Sequence, residues 1–185
     1  MKQFQKALIV AHFNKFGKLR KDTIDALNVF NNFFDRIILV STNLNEEEKY
    51  KIPNFVDTFV RKNIGYDFYS YRYGIRKLLK EKSDWQITLM NTSFVIIDPD
   101  KLYTQYIQNG IKKNNFEFYG LTKSNERKEH IQSFMMTFSN DLVKDSCFAN
   151  WWNAMTPLNI RQEVIDNYEI GLSQYLICIV YKLKS

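Results

Sequence analysis

The sequence predicts an α/β fold, a mostly parallel sheet flanked by helices with one antiparallel strand arriving late. Strand-like and helix-like segments alternate through the first hundred residues, the order of a parallel sheet built with right-handed crossovers. The runs "KALIVAHF" and "RIILVST" are continuously apolar, as strands covered on both faces are. Further on, "FEFYGLTKS" and "HIQSFMMTFS" follow one another as two strand-like runs, which places an antiparallel member late in the sheet. The 185 residues read as a single domain, 1–185, long enough for helices on both faces of a sheet.

The elements follow in order. "KALIVAHF" is the first strand. "DTIDALNVFNNFFD" is a helix, with Asp22 or Thr23 as N-cap and Ile24, Leu27, Phe30 and Phe34 at helical spacing. "RIILVST" is the second strand, and "NLNEEEKYKIP" a capped helical turn ended by Pro53. "DTFVRKN" is a third, shorter strand. From Tyr66 to Lys82 the pattern is helical, with Phe68, Tyr71, Ile75, Leu78 and Leu79 on one side. "WQITLMNTS" is the fourth strand, its apolar part stopping at Asn91. "DPDKLYTQYIQNGIKKN" is a helix with Pro99 in the first turn and a glycine-interrupted end. After the two late strands, "NDLVKDSCFANWWNAM" and "NYEIGLSQYLICIVYKL" are the last helices. No internal repeat, low-complexity tract or linker is present.

Composition bounds the function. The net charge of +6 suits an anionic partner, with nucleic acid, an anionic lipid surface and a phosphorylated small molecule as the three classes. The basic residues are scattered rather than blocked, which argues against a basic arm. Nucleic acid has only charge and aromatics in its favour, so none is expected as a partner. Cys147 and Cys178 are too few and too distant for a disulfide framework or a zinc knuckle, and read as two buried thiols in a reducing compartment. No apolar run approaches the ~18 residues of a membrane span. The expected location is cytoplasmic, with at most peripheral contact to an anionic membrane.

In a parallel α/β sheet ligands bind beyond the carboxyl ends of the strands. Those ends are His12–Phe13–Asn14, Ser41–Asn43, Asn63–Asp67 and Asn91–Ser93, all rich in hydrogen-bonding side chains. In "RKNIGYDF", Gly65 permits a left-handed bend or close backbone approach to a ligand. Asn63 and Asp67 are read two ways, as caps of the helix or as partners of a nucleoside, and a helix start with free N–H groups is itself an anion site. "LMNTSF" offers only neutral oxygens from Asn91, Thr92 and Ser93, poor ligands for a hard cation. A magnesium or manganese ion is therefore left open but not favoured at these residues, with Asp98 and Asp100 following closely. His12 and His130 each read as a structural or substrate-bonding imidazole or as a base. Glu169, in "DNYEIGLSQYL", reads as a first-turn acid serving the helix dipole or as a base for an acceptor hydroxyl.

Taken together, "RKNIGYDFYSYRYGI", "LMNTS", "FYGLTKS", "HIQSFMMTFS" and "YEIGLSQYL" resemble the rhamnan synthesis protein F family, over roughly Lys6 to Tyr181. That family is in turn similar to glycosyltransferases of the GT-A fold. The resemblance implies a GT-A-like, Rossmann-like domain that transfers a deoxyhexose, such as L-rhamnose from a dTDP donor, to a growing glycan or lipid-linked glycan at the inner face of the membrane. By position it implies a nucleotide-sugar pocket from Asn63, Gly65 and Asp67, together with the neighbouring strand ends His12, Phe13, Asn14, Ser41, Arg61 and Tyr66. Asn91, Thr92 and Ser93 take the diphosphate side, and His130 to Ser133, with Gln132, face donor or acceptor. Glu169 takes the place of the base, and Arg61 or Arg72 offsets diphosphate charge in place of a metal. The family's usual Asn-Asp-Ser is Asn91-Thr92-Ser93 here, which removes a metal-side carboxylate and keeps a non-catalytic binding module as the rival reading. The spatial expectation is one cleft holding His12, Asn63, Asn91 and Glu169.

Overall fold

In the computed structural model, which describes residues 4–81, 83–108 and 117–183, the sheet is built around β1 (Gln5–His12). β2 (Arg36–Ser41), β3 (Val56–Val60) and β4 (Trp85–Asn91) complete its parallel part. β5 (Phe118–Gly120), β6 (Lys123–Ser124), β7 (His130–Ile131) and β8 (Met135–Phe138) follow. The six-stranded order is β3-β2-β1-β4-β8-β5, with β8 antiparallel to both its neighbours, and β6 and β7 form a separate antiparallel pair. This is the predicted architecture, and the late antiparallel strand is β8.

The core explains why the strand runs are continuously apolar. Ala7, Leu8, Ile9 and Val10 of β1 are each fully buried, and because strand side chains alternate they feed two separate hydrophobic clusters. Ala7, Ile9, Ile38, Ile87 and Leu89 pack on one face against Tyr71, Ile75, Phe148, Trp152 and Leu176. Leu8, Val10, Leu39 and Met90 pack on the other against Leu27, Phe30, Tyr103 and Ile107. The helix α3 (Tyr66–Leu78) lies so close to β1 that a Cβ on Gly74 would sit 2.6 Å from Ile9 Cγ2.

Several boundaries move. Helix α1 (Lys21–Phe30) is shorter than expected, and neither Asp22 nor Thr23 caps it. Arg20 holds the N-cap place, while Asp22 accepts from the Arg20 side chain and the Ile96 N–H. The short α2 (Glu46–Lys49) also lacks a side-chain cap, because the Asn45 amide donates instead to Phe16 O. Asp98 caps α4 (Pro99–Lys101), which continues as π-helical turns over Leu102–Gln108. The expected continuation to residue 114, the residue Phe116 of the late strand, and Lys82 lie outside the described residues.

The helix expected over "NDLVKDSCFANWWNAM" is two, α5 (Asn140–Lys144) and α6 (Ser146–Ala154). Asp145 breaks it by adopting an extended ψ and capping α6 through the Cys147 N–H. The final helix begins earlier than expected. α7 (Arg161–Val164), π-helical turns over Ile165–Ile170, and α8 (Gly171–Leu183) run on without a break. The thiols are not both buried, since Cys147 is partly so and Cys178 is exposed. Among the described residues no helix is long and apolar enough to cross a membrane.

Each of the two late strands divides, and the reason lies in pairing. Leu121 N–H donates to Met135 O, and Gln132 N–H donates to Thr122 O. Leu121 and Thr122 are adjacent, yet their partners lie three residues apart. Ser133 and Phe134 therefore have no residues opposite them, and the hairpin bulges. Bulges re-aim side chains and backbone groups beside functional sites.

Candidate active site at the strand ends

The polar bend after β3 is shaped by backbone conformation rather than by a cap. Gly65 has a φ of +71° and Tyr66 a φ of +52°, and no side chain caps α3. Asn63 and Asp67 are thus not its caps. The guanidinium of Arg61 holds the bend from inside, donating to the carbonyls of Lys62, Ile64 and Tyr66 and to Ser70 Oγ. Burial lowers its pKa to about 10. With its donors so engaged, Arg61 organises the bend and does not reach toward a diphosphate. Arg72 is similarly turned away, donating to the Trp152 and Asn153 carbonyls.

The two left-handed residues swing Asp67 inward. Asn91, at the end of β4, donates from Nδ2 to Asp67 Oδ2 (2.9 Å) and to Ser133 O (3.4 Å), while its Oδ1 accepts from Ser93 N–H (3.0 Å). Two partners of fixed polarity, the Ser133 carbonyl and the Ser93 N–H, settle which way this amide points. The bulge is anchored by the same groups: Asn91 N–H donates to Phe134 O (3.1 Å) and the buried Tyr71 hydroxyl to Ser133 O (2.8 Å). So held, Ser133 presents its N–H to Glu169 Oε2 at 2.7 Å. Glu169 Oε1 lies 3.5 Å from His130 Nε2, and the Lys128 carbonyl lies 2.7 Å from His130 Nδ1.

Glu169 does not stand at a helix start. It falls within the π-helical turns, two turns past Arg161, so the helix dipole does not account for it. Its partners are the bulge and His130, and π-turns of this kind recur at functional sites.

These side chains line a cavity of about 340 Å³ that includes Asp67, Asn91, Ser93, Gln132, Ser133 and Glu169. A second hollow of about 310 Å³ lies beside it, lined by Phe13, Thr42, Asn63, Gly65 and Asn159 among others. Tyr66 and Asp67 belong to both. The expected single cleft is therefore two hollows meeting at one wall, with His12 and Asn63 on one side and Asn91 and Glu169 on the other. The Tyr66 hydroxyl crosses to Asn159 O at 3.3 Å.

His12 borders the second hollow, but its ring is buried, with Ser41 Oγ 2.9 Å from Nδ1 and Lys18 O 3.2 Å from Nε2, and burial lowers its pKa. Other expected residues line neither hollow. Ser41 is fully buried. Asn14 turns its Oδ1 to the Phe16 and Lys18 N–H groups. Thr92 lines neither hollow, and its carbonyl accepts from Arg20.

The electrostatics centre on Asp67. Burial raises its pKa to about 6, against the Asn91 hydrogen bond and the Arg61 charge, which lower it, while Glu169 adds to the rise. Sequence reading took Asp67 for a binding residue and missed its neighbours Arg127 and Arg161, which line the same cavity. Arg161 was legible only if the last helix was begun there, and the polar pair Asp166–Asn167 suggested a later start.

A divalent cation fits these side chains poorly. The Asn91 carbonyl oxygen is occupied by Ser93 N–H, and its amine faces Asp67. Glu169 is engaged by Ser133 and faces His130. Among the described residues no three His, Cys, Asp or Glu side chains converge as ligands, where a hard cation takes six or more oxygens.

The family model described as rhamnan synthesis protein F matches residues 37–184. The chain belongs to that family. The match begins well after the expected Lys6, so β1 and α1 precede it. This member of the rhamnan synthesis protein F family is 28% identical over 144 residues to an uncharacterized protein, y4gN, of Sinorhizobium fredii, covering 75% of this chain and 37% of that protein. It is 32% identical over 125 residues to Virulence protein VirA of Vibrio anguillarum, covering 64% and 38%. It thus spans little more than a third of the length of these relatives. Among solved structures it is similar to 4-diphosphocytidyl-2C-methyl-D-erythritol synthase from Anaerococcus prevotii, with a TM-score of 0.51 at 12% identity over 89% of this chain and 82% of that one. The likeness is one of fold.

Proposed function

We propose that this domain is a glycosyltransferase of surface polysaccharide synthesis, moving L-rhamnose or another deoxyhexose from a nucleotide-diphosphate donor to a glycan acceptor. The observation that carries the reading is Glu169, set by Ser133 N–H and His130 in a cavity that adjoins a second hollow across Tyr66 and Asp67. Two adjoining hollows suit a two-part donor. The nucleoside lies against Phe13, Asn63 and Gly65, and the sugar lies toward Glu169 and Gln132.

Reaction is a single displacement. The acceptor hydroxyl oxygen forms a bond to the anomeric carbon as the bond from that carbon to the diphosphate oxygen breaks, the electron pair leaving with the nucleoside diphosphate. Glu169 Oε1 takes the hydroxyl proton. His130 holds Glu169 from the other side.

Glu169→Gln keeps an acceptor for Ser133 N–H and removes the base. Transfer should fall about 10²–10⁴-fold while a donor still raises the melting temperature. Turnover of the variant at the parent rate would remove Glu169 from the mechanism. The rival, a non-catalytic nucleotide- or glycan-binding module, draws on the neutral Asn91-Thr92-Ser93. Donor stabilisation with no release of nucleoside diphosphate in the presence of any glycan acceptor would favour it.

A further inference from the structure

We infer that the diphosphate of the substrate is held by Arg161, with Arg127 beside it, and not through a bound divalent cation; this rests on the nucleotide-sugar reading above. The first ground is where the chain's other arginines near the strand ends go. Arg61 and Arg72 donate to backbone carbonyls. Arg20 is paired with Asp22 and with the carbonyls of Thr92 and Phe94.

Arg161 differs. It stands exposed at the opening of the helix that carries Glu169, lines the first cavity, and has no hydrogen bond or ion pair among the described residues. Its charge is felt by Asp67, whose carboxyl it pulls toward the ionised form.

Arg127 lines the same cavity from the hairpin loop, at a φ of +64°. Its guanidinium pairs with Asp166, to which Gln162 Nε2 also donates at 3.1 Å. That pair pins the loop against the helix and partly offsets the Arg127 charge. Glu126 lines the same cavity, so of its two arginines Arg161 is the one with no ion-pair partner among the described residues.

The second ground is the donor set. One oxygen of Asp67 accepts from Asn91, one oxygen of Glu169 accepts from Ser133 N–H, the Asn91 oxygen is taken by Ser93 N–H, and among the described residues no three His, Cys, Asp or Glu side chains gather as ligands. A guanidinium fork matches two oxygens of a phosphate and carries its charge without deprotonation at working pH. Placed at the leaving group, it stabilises the charge that develops there as the glycosidic bond breaks. Ser93, exposed in the lining of the same cavity, supplies a neutral hydroxyl.

The test is binding of thymidine, dTDP and UDP by calorimetry and thermal shift, with EDTA or with manganese, to the parent, Arg161→Met and Arg161→Lys. The parent should bind a diphosphate equally well in EDTA. Arg161→Met should lose at least about tenfold in diphosphate affinity, Arg161→Lys less, and thymidine binding should not change. Circular dichroism of each variant checks that this exposed position leaves the fold intact. Diphosphate binding that requires manganese, or that is unchanged in Arg161→Met, overturns the inference and leaves the nucleotide-sugar reading standing. Failure of the parent to bind any nucleoside, nucleoside diphosphate or nucleotide sugar overturns both.

Discussion

Replacing Asp67 with Asn should make the protein more stable above pH 6 and leave it unchanged near pH 4. Burial raises the folded-state pKa of Asp67 from 3.8 to about 6. Below pH 4 the carboxyl is protonated in folded and unfolded chains alike, and nothing is lost. Between about pH 4 and 6 the unfolded chain releases this proton while the folded chain retains it, so stability falls as pH rises. Above 6 the loss is complete and constant. About two units at ~1.4 kcal/mol each set a ceiling near 3 kcal/mol; the side chain is only partly enclosed, which screens the effect to about 1–2 kcal/mol. Asn keeps an oxygen for the Asn91 amine and has no charge to desolvate. For a chain of this size each kcal/mol is worth roughly 2–4 °C, so the variant should melt about 2–8 °C above the parent at pH 8. Melting curves of both proteins at unit steps from pH 4 to 8 measure it. Parallel pH profiles, or a variant less stable than the parent at pH 8, would refute the reasoning.

Two further substitutions test the scaffold. Gly65→Ala forces a side chain into a φ of +71° and places Cβ 2.7 Å from Tyr69 Cβ and 3.1 Å from Pro157 Cα, so urea denaturation should show a loss of about 1–3 kcal/mol. Trp152 is fully buried against Phe68, Phe138 and Phe148, and Trp152→Ala should cost about 3–5 kcal/mol in the same assay.

Much of the fold was legible because burial on both faces of a parallel strand leaves an unmistakable apolar run. β1 and β2 carry no polar residue between Ala7 and Ala11 or between Ile37 and Val40. The strand ends followed, since polar residues begin where the sheet stops. What was hidden depends on partners distant in sequence. "HIQSFMMTFS" looks like one strand, and only its pairing with Leu121 and Thr122 shows that Ser133 and Phe134 are expelled. "DNYEIG" looks like a helix start because its residues are polar, yet those of Asp166 and Glu169 are met by Arg127 and by Ser133. Arg61 looked like a free cation near the binding edge, and nothing local reveals that its donors close on the bend beside it.

The unmatched dipeptide Ser133–Phe134 has a consequence for how such a domain could be decommissioned. Excising two residues there would let the flanking ladders zip into an uninterrupted ribbon, with loss of the Phe94–Phe134 ring contact and of the carbonyl to which Tyr71 and Asn91 donate. The peptide group that holds Glu169 would vanish with them. Chain length at this one spot, more than the identity of any acid, then decides whether that contact forms.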